Sequence, residues 1–143
     1  MKVAFTGKIP KTAEKLLMQE GYEIVVFEGI KPIDQKHLIQ IGHDADAIIS
    51  LLTDKIDREV IDNLENCKII ANYAVGFNNI DVEHAKSKGI TVTNTPDILT
   101  DSTADLAAGL VLACCRNFKA GEEMMRNKEF TGWKPQLLMG IEL

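Results

Sequence analysis

The stretch Tyr73-Ala74-Val75-Gly76-Phe77-Asn78-Asn79 is where the residue types of this chain could most readily do chemistry. Glycine lets a backbone turn sharply and leaves its amide uncovered by a side chain, which Gly76 offers here. Adjacent backbone N–H groups, such as those of Val75 and Gly76, can converge on an anion, and a small carboxylate suits such a pair. On spacing alone a plainer alternative is favoured, in which Gly76 makes a turn and Asn79 or Asp81 caps the following helix. Gly7-Lys8 and Leu51-Leu52-Thr53 also follow strand-like apolar runs and share the same kind of position.

Several familiar chemistries are excluded by residue identity. No two glycines stand two apart, so the GxGxxG fingerprint, whose glycines allow close approach to a pyrophosphate, is absent. Gly7-Lys8 is no phosphate-cradling P-loop, because Lys2 stands where its first glycine belongs and Ile9 replaces the Ser or Thr. A phospho-accepting site needs acidic residues after the first strand and an Asp ending the third. Thr6-Gly7-Lys8 and Ser50-Leu51-Leu52 stand there instead. His37, His43 and His84 share no evident site and read as solvated, while Arg58, Arg116 and Arg126 read as surface or helix-end charges. Cys67, Cys114 and Cys115 are odd in number and lack a CxxC spacing, so neither a disulfide framework nor a metal site is expected. The adjacent pair reads as small core packing.

The elements that must position the loops follow from alternating patterns. Strands are predicted at Lys2–Thr6, Tyr22–Phe27, Ala45–Leu51, Lys68–Asn72 and Ile90–Thr93. Helices are predicted from Pro10 through Gln19, near Asp34–Ile41, at Asp57–Leu64 and at Asp81–Lys88. The Ile24–Phe27 run predicts a strand buried on both faces. A long helix starts near Asp101 or Ser102, reaches about Arg116 and could continue past Arg126. Its Ala104, Ala107, Ala108, Gly109 and Ala113 make it small-sided and suited to close packing. Right-handed crossovers make this an α/β fold, a flavodoxin-like, doubly wound, parallel five-stranded sheet of order 2-1-3-4-5 with a long C-terminal helix. In such sheets ligands sit beyond the carboxyl ends of the strands, where the three loops lie.

Size and charge set the outer bounds. A chain of 143 residues fits one domain and can bury about 68–70% of its unfolded surface. A net charge of −5 with no basic stripe argues against a nucleic-acid partner. Runs such as Leu106–Cys115 are too short to span a bilayer, and Met1–Phe5 opens as a strand and not as a signal peptide, so the expected setting is cytoplasmic. The tail from Gly132 to Leu143 holds turn residues and apolar side chains but no further element, and reads as interrupted.

Three segments together carry a resemblance: Asn72–Asp81 (NYAVGFNNID), Lys88–Pro96 (KGITVTNTP) and Leu99–Ala107 (LTDSTADLA), with Ser50–Ile56 before them. This ordered set is similar to the D-2-hydroxyacid dehydrogenase family, with its VGxDNID-like loop, GIxVxNTP strand and TAD-like helix start. Asn78 departs from it, standing where Asp is common. The resemblance covers nearly all the chain and makes the carboxylate reading of the Val75-Gly76 loop the leading one. It implies that the amides of Val75 and Gly76 hold a substrate carboxylate and that Leu51 and Leu52 line the pocket. It also implies that Thr103 approaches a nicotinamide ring and that Asn94-Thr95-Pro96 shapes a hinge-side turn.

By the same resemblance, residues 1–117 are the substrate-binding domain and 118–143 a helix continuation and linker toward a nucleotide-binding domain absent from this sequence. The catalytic Arg, Glu or Asp, and His belong to that domain, and none maps onto this chain. The complete enzyme would be a homodimer that transfers hydride between NAD or NADP and a small 2-keto or 2-hydroxy acid. The chain alone is expected to be inactive and to hold no nucleotide tightly. The alternative is a free-standing, non-enzymatic carboxylate-binding or regulatory module of the same fold.

Overall fold

The computed structural model describes residues 1–142, and the chain divides into two compact units, Met1–Ile98 and Leu99–Leu143, each taken over its described residues. In the first, strands β1 (Lys2–Phe5), β2 (Glu23–Val26), β3 (Ala47–Leu51), β4 (Ile69–Tyr73) and β5 (Thr91–Thr93) are all parallel in the order β2-β1-β3-β4-β5. Helices α1 (Lys11–Gln19), α2 (Gln35–Gly42), α3 (Arg58–Asp62) and α4 (Val82–Ser87) occupy the crossovers. Strand order and element count match the expectation from sequence. The largest difference in extent is α3, which ends at Asp62 and leaves Leu64 buried in the turn beyond it.

Side chains of a strand alternate between faces, and that period sorts the core. Ile48 and Ser50 of β3 and Ile70 and Asn72 of β4 are buried, while Ile49 and Ala71 between them are half-buried. Leu38 of α2, Val60 and Ile61 of α3 and Ala85 of α4 join Ile48 and Ile70 in one core cluster, so these three helices cover one face. On the other face, Pro10, Ala13 and Leu16 at α1 line a cavity of about 450 Å³ with Ile49, Ala71 and Thr93. No residue of α1 is fully buried. This unequal cover corrects the reading of Ile24–Phe27 as buried on both faces. β2 is an edge strand with Glu23 exposed and Ile24, Val25 and Val26 half-buried.

The three helices on the buried face start alike. Asp34, Asp57 and Asp81 each accept a backbone N–H of the first turn, from His37 at 2.9 Å, Val60 at 3.3 Å and His84 at 3.0 Å. The cap of α4 is therefore Asp81, which leaves the Asn79 side chain to other partners.

The second unit holds α5 (Thr100–Cys115) and α6 (Phe118–Arg126). The expected continuation of one helix past Arg126 is interrupted, because Asn117 takes the left-handed conformation at φ 53°, which Asn tolerates better than most residues. By internal contacts the chain divides at Ile98, earlier than the functional boundary expected near Asn117. Residues 127–142 add no helix or strand but are tied to the end of α5, with Ile141 N–H donating to the Cys115 carbonyl at 2.8 Å and Asn117 Nδ2 to that of Met139 at 2.7 Å. Gly140 permits this approach: a Cβ there would lie 2.0 Å from the Cys115 oxygen. No residue of α5 is buried. Cys114 is exposed and Cys115 half-buried, so the pair is not core packing as the sequence suggested. Among the described residues no helix is long and apolar enough to cross a membrane.

Candidate functional site

The carboxyl ends of β1, β3 and β4 bring their loops side by side. A Cβ at Gly7 would lie 2.6 Å from Leu51 Cδ1, so the first two loops abut there. A Cβ at Gly76 would lie 3.8 Å from Leu52 Cδ1 and 3.4 Å from Asn78 Oδ1, which places Leu52 beside the Val75-Gly76 backbone. Leu51 is half-buried as the last residue of β3, whereas Leu52, Val75, Gly76 and Phe77 are exposed. The structure thus brings together all four residues that the sequence nominated for a substrate. It also changes the role of one. Gly76 lies outside the left-handed region occupied by Gly21, Gly89 and Gly132, so no strained turn demands glycine there. What glycine provides is an open approach to the backbone.

The amides themselves are available. Among the described residues, neither the Val75 nor the Gly76 N–H has an internal hydrogen-bond partner. The carbonyls around them are all engaged. Thr95 N–H donates to Ala74 O at 2.9 Å, Asn94 Nδ2 to Val75 O at 2.7 Å and Asn72 Nδ2 to Gly76 O at 2.8 Å. Asn72 Nδ2 also donates to Asn79 Oδ1 at 3.2 Å, and Asn72 Oδ1 accepts from Ser50 Oγ at 2.9 Å. Asn79 Nδ2 reaches back to the loop after β3, donating to Leu51 O at 3.2 Å and Asp54 O at 3.0 Å. Each of the two Asn72 and Asn79 N–H pairs meets oxygen acceptors only, which fixes both amide orientations.

Asp54 anchors the second loop from beneath. It is buried, and its Oδ2 accepts from Thr6 Oγ1 and, at 2.6 Å, from Leu51 N–H. Oδ1 has no partner among the described residues. Burial pushes this carboxyl above the ordinary carboxylate range, against the opposing pull of the Thr6 and Leu51 hydrogen bonds. Spacing did not single out Asp54, Asn72, Asn79 or Asn94 for these roles. The one signal available was parity, since Asn72 falls on the same strand face as the core residue Ile70.

The remaining candidates have partners of their own. Thr103 is exposed in the first turn of α5, in the second unit, with its N–H bonded to Leu99 O at 2.9 Å. His37 and His84 are bonded to Asp34 at 2.8 Å and to Asp62 at 3.0 Å, and His43 to the Asn63 carbonyl at 3.0 Å. Arg58 pairs with Asp81 at 3.1 Å and Lys8 with Glu28 at 3.3 Å. What this loop cluster offers an anion is therefore backbone dipoles. No paired glycines follow any of the strands, so the described residues do not by themselves fit a dinucleotide pyrophosphate.

Known proteins share this architecture. The model of the D-isomer specific 2-hydroxyacid dehydrogenase catalytic domain matches residues 3–131. A Staphylococcus saprophyticus protein provisionally named a 2-hydroxyacid dehydrogenase is 45% identical over all 143 residues, and the chain covers 45% of it. A Thermus thermophilus protein of known crystal structure is 36% identical with a TM-score of 0.92; the match covers 100% of this chain and 46% of that one. The D-lactate dehydrogenase of Aquifex aeolicus, crystallised with NAD and lactic acid, shares the fold at 19% identity and a TM-score of 0.76, over 99% of this chain and 41% of its own. The chain thus spans about 45% of the length of the first of these relatives. With the catalytic-domain model matching residues 3–131, most of the chain and all three loops of the site, the chain belongs to the D-isomer specific 2-hydroxyacid dehydrogenase family.

Proposed function

We propose that this chain supplies the substrate-binding part of an NAD(P)-dependent dehydrogenase acting on small 2-keto or 2-hydroxy acids. The observation that carries this reading is the pair of N–H groups at the exposed residues Val75 and Gly76, without an internal partner among the described residues and with Leu52 beside them. They hold the ligand's carboxylate, and Leu51 and Leu52 wall the pocket. A nicotinamide held by the complete protein would supply the hydride chemistry at the 2-carbon. Thr103 would face such a ring, and the acid–base and carbonyl-polarising groups come from a nucleotide-binding domain outside this sequence. The coverage of under half of the relatives supports that division of labour. Residues 1–117 serve the substrate side and 118–143 lead toward the other domain. The complete protein works as a cytoplasmic homodimer, a setting that suits three free cysteines and the exposed apolar side chains of α5 and α6.

By itself the chain offers a ligand two backbone hydrogen bonds. Association costs about 4–15 kcal/mol in lost freedom, so its carboxylate affinity is at best about millimolar. The test is to extend the chain with the coding sequence that follows the codon for Leu143. NADH oxidation by the extended protein with glyoxylate, hydroxypyruvate or pyruvate, and none by the 143-residue chain, is the expected result. Micromolar, saturable NADH binding by the chain alone would overturn the reading. A stop codon at that point, with carboxylates binding the chain tightly, would favour the free-standing binding module.

A further inference from the structure

We infer that Asn94 is a positioning residue for this site: by holding the Val75 carbonyl it aims the Gly76 N–H at the ligand's carboxylate. The inference rests on the carboxylate reading above and assigns a part to a residue that the reading does not use. In a trans peptide the C=O and the following N–H lie in one plane and point in opposite directions. The chain has no cis peptide among its described residues, so fixing the Val75 oxygen fixes where the Gly76 hydrogen points. Asn94 Nδ2 does this at 2.7 Å.

The flanking peptides are treated the same way. Thr95 N–H holds the Ala74 oxygen at 2.9 Å, which orients the Val75 N–H. Asn72 holds the Gly76 oxygen at 2.8 Å, which orients the next amide, that of Phe77. Three consecutive carbonyls are thus engaged while the N–H groups of Val75 and Gly76 stay free. The middle clamp matters most, because glycine lacks the Cβ that would restrict rotation of its own peptide plane. Asn94 also has little else to do. Its bond to Val75 is exposed, it caps no helix, and it lies outside the core cluster.

The test is a titration of the ¹⁵N-labelled 143-residue chain with pyruvate, read at individual backbone amides, for wild type, Asn94→Ala and Asn94→Asp. The aspartate keeps the shape and loses the donor. In wild type, Val75 and Gly76 shift together with a millimolar midpoint. In both variants the midpoint rises about five- to tenfold, the loss of one oriented hydrogen bond. The Gly76 response shrinks more than that of Val75, whose plane Thr95 still holds, and the amides of Ile48 and Ile70 do not move. A purely structural role for Asn94 would shift the thermal midpoint and spare this ratio.

Wild-type affinity and a wild-type Gly76 response in both variants would overturn the inference and leave the carboxylate site standing. No response at Val75 or Gly76 in wild type would remove the site reading and the inference with it. Should the variants not fold, the wild-type Asn94 side-chain amide decides: resolved, slowly exchanging protons are expected, and freely averaged ones would overturn the assignment.

Discussion

Ile48, Ile61 and Ile70 of Met1–Ile98 are 0–2% exposed, whereas Leu106, Leu110 and Val111 on α5 of Leu99–Leu143 are 64%, 57% and 48% exposed. Residues of the same chemical kind are used in opposite ways. In the first unit they alternate along strands or recur on one side of a helix, and each finds a facing layer. On α5 they stand on all sides with small residues between them, and a helix that is apolar all round is built for burial on all sides. In the proposed reading the nucleotide-binding domain and a second subunit provide that burial. Apolar content therefore tells where surface must be covered, and periodicity tells whether the element's own unit covers it.

Truncation at the two kinds of position tests this contrast most severely. Ile70→Ala should cost about 2–5 kcal/mol in denaturant unfolding, because it leaves a cavity in a closed core. Leu110→Ala should stay within about 0.5 kcal/mol. Equal costs would break the comparison. Gly140→Ala sharpens the second unit by itself. Its methyl would meet the Cys115 oxygen, so a loss of about 1–3 kcal/mol is expected, with faster hydrogen exchange at Ile141.

Asp81→Ala removes the α4 cap and should lower the thermal midpoint at neutral pH. The backbone N–H of His84, helped by Arg58, holds the Asp81 carboxyl below the ordinary carboxylate range, and His37 N–H does the same at Asp34. Stabilisation by a depressed carboxylate is full above its unfolded value and is lost as pH falls through the folded one. The difference between wild type and Asp81→Ala should accordingly shrink below about pH 4.

Asp54 has the opposite sign. Its folded carboxyl titrates above the unfolded value, so its contribution falls as pH rises from the carboxylate range through that raised value. Asp54→Asn should remove this slope, and melting curves from pH 4 to 8 that run parallel for the two proteins would refute it. The smallest effect is Gly76→Ala. A Cβ there meets Leu52 Cδ1 at 3.8 Å and Asn78 Oδ1 at 3.4 Å, so stability should hold while pyruvate binding at the neighbouring amides weakens.

Much of the first unit was legible because strand runs and helix periods differ sharply, and because right-handed crossovers leave few orders for five parallel strands. The loop cluster was legible as a location, and Leu51, Leu52, Val75 and Gly76 do converge. What spacing could not supply was the partner of each asparagine. Asn79 and Asp81 were equivalent candidates for one cap; the structure gives the cap to Asp81 and sends Asn79 to Leu51 O and Asp54 O. The edge position of β2 followed from the expected strand order, but its half-burial escaped, as did the break at Asn117. How far a strand is covered depends on the layer opposite it, and a single left-handed residue leaves no mark on an apolar period.

In the proposed reading, the three engaged carbonyls around Val75 and Gly76 separate anchoring from selectivity. Main-chain atoms are fixed from behind by Asn72, Asn94 and Thr95, while the side chains of Leu52, Val75 and Phe77 project into open space. Exchanging those three would resculpt the wall that a ligand's tail meets and leave its headgroup contact in place. A loop built this way can change its preferences residue by residue without being rebuilt.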